Sequence, residues 1–476
     1  MSRPMYVQIA DEIAALVQSG QLQRGDRLPS VRRLVRQKGV SASTAIAALR
    51  AVETRGFAEA RPQSGYFAKP PRVAIEEPTT TRPAAAARTV GVDSVMLQVI
   101  DASHDPSFAP LGAAAPDPEL FPMRRLQRSL ASIARRSPRL LADYGLSYRG
   151  VDSLRHQLLR RYADIGCTVR PEEITVTNGC TEALNLALRA VTRPGDTVAI
   201  ESPVYYCILQ VLQNLGLKAL EIACHPSEGL EVDSLAQALK GRRGRSVKAC
   251  LVSTNFSNPT GACMSDAEKR RLVQLCHERR VPLIEDDIYG DLQHAGPRPL
   301  PAKAFDAHGG VILCSSFSKT LAPGARIGWL CGGRYSATLG LAKFASSGAS
   351  PAILQELLAD LLRSGGYERH VTKLRSTYAR YVAAAAAAVS RHFPAGTRMT
   401  QPRGGFVIWV ELPRAVDSLA LFDQAIRQGV NFAPGPLFSA TGRYKNFLRL
   451  NCGRRWTLEL EAAVARIGQL ARGLCQ

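Results

Sequence analysis

Lys319 stands in Ser315–Trp329, SSFSKTLAPGARIGW, among small and hydroxyl residues. An apolar run, Val311–Cys314, precedes it and Ile327–Cys331 follows, so the lysine is expected at the end of buried strands. Burial strips water from an ammonium and favours the neutral, nucleophilic amine. Such an amine condenses with an aldehyde to an imine. Ser316 and Ser318 offer two hydroxyls, and Arg326 offers a planar cation, a set suited to one phosphate dianion. An aldehyde-capturing lysine beside a phosphate cradle describes a site for pyridoxal phosphate (PLP). A lysine among serines is also ordinary surface-loop composition, so the reading depends on what accompanies it.

Four clusters accompany it. Thr177–Glu182, TNGCTE, is a glycine turn between a strand and a helix, where the N–H groups of Gly179, Cys180 and Thr181 suit a phosphate. Asn255–Gly261, NFSNPTG, is a turn in which the Asn258 amide can donate to the cofactor's phenolic oxygen. Ile284–Asp291, IEDDIYGD, ends an apolar strand with carboxylates. A buried carboxylate needs a cationic partner, and a protonated pyridine nitrogen is one. Spacing favours Asp286, with Tyr289 reaching the phenolic oxygen, and Asp287 competes for the role. A metal is the other use for such a cluster, and none is expected. In Asn446–Asn451, NFLRLN, Arg449 sits between apolar neighbours, which also describes a core-edge arginine with a packed stem.

In this order and spacing the clusters resemble the fold-type I aminotransferases over roughly residues 105–476. The resemblance implies that Lys319, Asp286 and Tyr289 carry the chemistry and that Arg449 grips the α-carboxylate of an amino compound. It also implies that Tyr205, in ESPVYY, stacks on the pyridine ring. Tyr144 would reach the phosphate of a neighbouring subunit's site, so a homodimer is implied.

The positioning elements follow an α/β pattern. Strand–helix units are expected at 174–191, 197–215 and 249–279, with further strands at 282–285, 311–314 and 328–331. Repeated apolar strands with intervening helices mean a mostly parallel sheet covered by helices. Long helices are expected at 339–363 and 367–389, and strands at 406–411 and 447–450 in a small α+β C-terminal lobe. The large lobe is expected over about 105–335 and the small lobe over about 336–476.

At 476 residues the chain exceeds one compact core. Its 46% apolar and 21% charged content is ordinary for a globular protein. No apolar stretch is long enough to span a bilayer, and the N-terminus does not read as a signal peptide. Eleven cysteines form no CxxC pair, which fits neither zinc nor a disulfide framework and suits a reducing cytoplasm. The net charge is +21, and residues 1–72 hold twelve basic against five acidic residues. A basic small domain suggests nucleic acid, although an arginine-rich composition throughout gives the same count.

Residues 6–19 place Ile9, Ile13, Leu16 and Val17 on one helical face. A second helix, 31–37, starts after Ser30 and ends at Gly39; a third, 42–54, starts after Ser41, with Ile46, Leu49 and Val52 inward. Short strands at 58–60 and 66–68 flank a glycine-tipped turn. Three helices and a hairpin make a winged helix-turn-helix. The wording from Leu28 to Phe67, LPSVRRLVRQKGVSASTAIAALRAVETRGFAEARPQSGYF, resembles the DNA-binding domain of the GntR family of bacterial regulators. That resemblance implies double-stranded DNA as partner. Ser30 and Arg32 would approach phosphates, Ser41, Ser43 and Thr44 would open the recognition helix, and Arg61, Gln63 and Gly65 would form the wing. Ala42 and Ile46 stand where the family often has basic residues, so arginine readout of bases is reduced.

The expected organisation is a winged-helix domain at 1–69, a Pro/Ala/Thr-rich linker at 70–92, and an aminotransferase-like domain at 93–476. That joining resembles the MocR subfamily of GntR regulators, in which the body senses PLP or an amino-compound effector. A working aminotransferase with a vestigial head is the alternative.

Overall fold

The computed structural model describes the chain apart from residues 1–3, 19–20, 23–24, 55–56, 62–63, 69–75, 84–85, 91–93, 143–146 and 476. Contacts divide it into two compact units, 1–75 and 76–476.

The first unit holds helices Met5–Gln18, Val31–Lys38 and Ala42–Thr54 and an antiparallel hairpin, Ala58–Arg61 with Gly65–Ala68. Ser30 caps the second helix, its hydroxyl accepting the Arg33 N–H at 3.3 Å, and Gly39 stops it in the left-handed region at φ 64°. Ile9, Ile13, Val17, Leu34, Leu49 and Val52 fill the core. Two positions expected inward are not. Leu16 and Ile46 are each 38% exposed, while Ala10, Ala45 and Ala48 are fully buried.

In the second unit the main sheet runs Arg88–Thr89, Lys218–His225, Thr197–Ser202, Val247–Val252, Leu283–Asp286, Val311–Ser316, Gly328–Cys331, Ile174–Thr177. The five strands from Lys218–His225 to Val311–Ser316 are parallel, and Gly328–Cys331 is antiparallel to both its neighbours. Loops that follow the strands' C-terminal ends therefore gather at one edge, where open α/β sheets bind ligands. Strand Lys218–His225 was not expected from sequence, since Glu221 interrupts its apolar run. That carboxylate is 6% exposed and is satisfied by the Ala440 N–H at 2.9 Å and the Thr441 hydroxyl at 3.2 Å.

The helix expected over 339–363 is two helices, Ser336–Ser347 and Ala352–Arg363, broken by Gly348 at φ 60° and by Pro351. Both pack on helices of the large lobe. The small-lobe sheet orders Arg398–Met399, Val407–Glu411, Phe447–Asn451 and Ala433–Pro434. Ala109–Pro110 pairs with Val430–Asn431, which places the stretch after helix Ser94–His104 against the small lobe. The lobes therefore do not divide in chain order at 335, because long-range pairing leaves no local signal.

The segment read as linker also divides. From Glu76 onward it lies on the second unit. Arg398 holds Glu76 at 3.0 Å, and both Glu411 oxygens take Thr79, from its N–H at 2.8 Å and its hydroxyl at 2.9 Å. The Thr81 hydroxyl donates to the Tyr444 hydroxyl at 2.8 Å, and Arg88–Thr89 adds an edge strand to the main sheet.

Candidate functional site

Helix Cys180–Val191 begins directly after strand Ile174–Thr177, with Gly179 as N-cap at φ 86° and no side-chain cap. Its first N–H groups are left for an external acceptor. A Cβ at Gly179 would overlap the Arg326 guanidinium, so only glycine lets the arginine close over this turn. Arg326 is itself left-handed at φ 52° and reaches the Asn178 carbonyl at 3.4 Å. On the neighbouring loop the Ser316 hydroxyl accepts the Ser318 N–H at 3.3 Å. Two hydroxyls, a helix start and a guanidinium thus border one space, a donor set that fits a phosphate.

That space is a cavity of about 170 Å³. Cys180, Thr181, Tyr205, Asn258, Asp286, Tyr289, Ser316, Ser318, Lys319 and Arg326 line it, so five separate sequence clusters meet there. Sequence reasoning missed Ser253, Cys207, Leu184, Ile208 and Ile288, which also line it. Ile288 sits inside the 284–291 cluster as an apolar residue with no assigned role, and the other four belong to no motif, so only the convergence of strand ends brings them in.

The Lys319 amine donates to the Ala114 carbonyl at 2.6 Å. Burial first, and then the nearby Arg449 and Arg326 charges, pull it down from 10.5 to about 8, against the attraction of Asp286. Across the cavity, Asp286 Oδ1 accepts the Ile288 N–H at 3.2 Å and the Cys180 thiol at 3.5 Å. Burial pushes this carboxyl up to about 6 despite those donors.

The rest of the acidic run faces elsewhere. Asp287 pairs with Arg298 and takes the Asn255 amide at 2.8 Å. Glu285 takes the backbone N–H groups of Ala302 at 2.6 Å and Lys303 at 3.0 Å, and Asp291 pairs with Arg161 at 2.8 Å and Arg298 at 2.7 Å. Each is satisfied by the fold, and Asp286 alone of the four lines the cavity. Among the described residues no three His, Cys, Asp or Glu side chains converge as metal ligands.

Arg449 is fully buried, with its guanidinium 5.5 Å from the Phe438 ring centre. Nη1 donates to Asn258 Oδ1 at 3.3 Å, while Nε and Nη2 have no partner among the described residues. A buried guanidinium with two idle nitrogens is costly unless an anion completes it. Burial raises the Tyr289 phenol, which the same Arg449 charge lowers and Asn258 hydrogen-bonds. Tyr205 lies at the cavity wall, its ring 4.7 Å from that of Tyr206. Tyr144 and Gln63 lie outside the described residues.

In the first unit, Ser41 Oγ accepts the Thr44 N–H at 3.2 Å and lies 2.8 Å from both the Ser43 and Thr44 hydroxyls, so the three hydroxyls cluster at the helix start. Arg32 is exposed. On the wing Arg61 pairs with Glu59 at 2.8 Å and lies over the Phe67 ring at 4.3 Å, while Gly65 turns the strand at φ 98°.

Residues 127–467 match the family of class I and II aminotransferases, and residues 5–67 match the gntR family of bacterial regulatory proteins. The chain is 38% identical over 465 residues to the uncharacterised HTH-type transcriptional regulator YdcR of Escherichia coli, covering 98% of each. It is 35% identical over 464 residues to YjiR of the same organism, again covering 98% of each. Among solved structures, the kynurenine aminotransferase of Pyrococcus horikoshii superposes with a TM-score of 0.76 at 28% identity, over 81% of this chain and 96% of that one. Aminotransferases of this fold depend on PLP, and PLP is the cofactor of this chain. With a GntR head and a class I and II aminotransferase body in one chain, the protein belongs to the MocR subfamily of PLP-binding transcriptional regulators.

Proposed function

We propose that this regulator senses a primary amine bearing a carboxylate, received in the cavity between Lys319 and Arg449. The observation that carries the reading is the buried Arg449 guanidinium with two unpartnered nitrogens, in a site whose lysine is lowered by burial to about 8. One end of such an effector meets the arginine and the other competes with the lysine for the cofactor's carbonyl carbon.

The residues assigned to the cofactor divide by its parts. Gly179, Cys180 and Thr181 N–H groups, Ser316, Ser318 and Arg326 take the phosphate. Asp286 holds the ring nitrogen, Asn258 and Tyr289 the phenolic oxygen, and Tyr205 the ring face. Bound PLP supplies an aldehyde for an amine and a ring that withdraws electrons. Lys319 and Tyr289 are the groups placed to hold or pass a proton beside it. Tyr144 is assigned to a partner subunit's phosphate. A homodimer is supported by Leu341 and Phe344, which are 69% and 68% exposed on helix Ser336–Ser347. A cytoplasmic location follows from the regulator's need to meet DNA.

Ser30, Arg32, Ser41, Ser43, Thr44, Arg61, Gln63 and Gly65 are assigned to the DNA contact. Signal transfer would run through the pinned half of the linker. Tyr444 receives Thr81 and lies 3.0 Å from Ser202, at the end of a strand whose Glu201 takes the Ser253 N–H at 2.8 Å beside the cavity. A change in lobe closure then reaches the segment leading to the head.

An absorbance scan of the PLP-loaded protein against a panel of amines and amino acids tests the sensing reading. Carboxylate-bearing amines should perturb the spectrum at lower concentration than their decarboxylated analogues. A spectrum unmoved by every amine would make PLP itself the signal. A second reading, a working aminotransferase, is favoured by the assembly of all these side chains in one cavity. Steady-state amino-group exchange with a keto acid, without specific retardation of the DNA upstream of its own gene, would select it.

A further inference from the structure

Helix Met123–Arg136, MRRLQRSLASIARR, carries five arginines and no acid. Among the described helices of eight or more residues, one other holds four or more Lys or Arg and no acid. It is Val31–Lys38, VRRLVRQK, in the winged-helix unit. The shared feature is a charge pattern that ordinary solvated helices of this chain dilute with Glu or Asp.

Leu126 and Ile133 bury the apolar face of the helix in the large-lobe core, with Leu130 packed beside them. Arg124, Arg128, Arg135 and Arg136 are exposed, as is Arg139 just past the helix end. Positions 124, 128 and 135 share one face and form a row about 16 Å long at 1.5 Å per residue. None of the five exposed arginines forms an ion pair among the described residues. Arg128 folds onto the Arg124 carbonyl at 3.3 Å. The acid within electrostatic reach, Asp360, is already engaged by Ser129 at 2.7 Å and Arg363 at 2.9 Å.

We infer that this row is a second phosphate-contacting surface for duplex DNA, on the aminotransferase-like unit itself. Guanidinium forks suit phosphate oxygens, and a row of unpaired positive charge gains affinity by releasing counterions from DNA. An anionic membrane is the other polyanion such a helix meets, but that mode needs a free apolar face. Here Leu126 and Ile133 are in the core. The inference rests on the DNA-binding role of the head, and the test below separates the two.

The experiment measures binding of the full-length, PLP-loaded protein to a long duplex taken from upstream of its own gene, across a series of salt concentrations. A variant with Arg124→Gln, Arg128→Gln, Arg135→Gln and Arg139→Gln keeps helix propensity and removes the row. A control variant removes the same charge from other exposed positions: Arg189→Gln, Lys240→Gln, Lys248→Gln and Arg279→Gln. Each phosphate contact contributes about −0.9 to the slope of log affinity against log salt, so the helix variant should be shallower by about 2–4. The control should keep the wild-type slope. Equal slopes for the two variants would overturn the inference. So would a helix variant that changes oligomeric state by light scattering while keeping the wild-type slope. Arg32→Gln, run in parallel, isolates the head. If it weakens binding and the helix variant does not, only this inference fails. If neither weakens binding, both fail.

Discussion

Asn258 and Arg449 share a hydrogen bond, Nη1 to Oδ1 at 3.3 Å, in the buried floor between the two lobes. The same asparagine bonds the Tyr289 phenol. One amide therefore ties the proposed carboxylate-binding arginine to the proposed cofactor-binding tyrosine. An anion drawn to Arg449 acts on the oxygen that Asn258 presents, and through it on the amide facing the cavity.

Arg449→Leu should abolish the preference for carboxylate-bearing amines over their decarboxylated analogues. A charge-assisted pair in a desolvated pocket is worth about 1.5–3 kcal/mol, or roughly 10- to 100-fold in half-saturating concentration. The spectrum without effector should stay as in wild type. Thermal stability should hold or rise, because the leucine removes an incompletely paired buried charge. Retained preference in effector titrations would place the carboxylate elsewhere.

Asp286→Asn and Asp287→Asn should fail in different ways. Asp286 faces the cavity and its loss should weaken PLP retention and shift the absorbance that reports ring protonation. Asp287 is paired with Arg298, and its side chain is fully buried. Breaking such a pair costs about 3 kcal/mol, so that variant should melt lower while keeping a normal cofactor spectrum. A melting curve and a spectrum for each variant decide it, and the reverse ranking would move the ring-nitrogen role to Asp287.

Lys319→Ala should remove the borohydride-trapped PLP label from the peptide containing position 319. Label persisting on another lysine would refute the assignment.

The lowered lysine gives a pH dependence with a definite sign. An amine titrating at about 8 is mostly charged at pH 6 and mostly neutral at pH 9. The rate at which PLP-stripped protein takes up the cofactor should climb through neutral pH and level off above about 8. A lysine at its ordinary 10.5 would keep climbing beyond pH 9. Stopped-flow absorbance over that range distinguishes the two.

Much of the site was legible because its chemistry demands particular residue types at strand ends. Lys319, Asp286, Asn258 and Arg326 could be named before the sheet existed to join them. Spacing already favoured Asp286 over Asp287, but the Arg298 partner that engages Asp287 lies eleven residues on and left no mark in the motif. Ser253 and Cys207 were invisible, because a single hydroxyl or thiol on an apolar background has no spacing to betray it. In the fold, strands with uniform apolar runs were legible and Lys218–His225 was not, its central Glu221 being satisfied from residues 440 and 441. The break at Gly348 and Pro351 was written in the sequence but masked by apolar periodicity on both sides.

Gly328 heads the one antiparallel strand among its neighbours, opposite Thr177 on one side and Ser316 on the other. A Cβ there would stand 2.6 Å from the Gly179 carbonyl carbon, 2.7 Å from the Ser315 oxygen and 2.9 Å from the Cys180 nitrogen. The turn that offers backbone N–H groups and the loop that offers hydroxyls and lysine are thus stitched at a single point with no spare volume. They cannot be tuned separately. Gly328→Ala must pry both loops apart together, so cofactor affinity and melting temperature should fall as one quantity. Selection for a looser or tighter grip on the cofactor would have to act elsewhere, at positions such as Arg326 that border the space without holding it open.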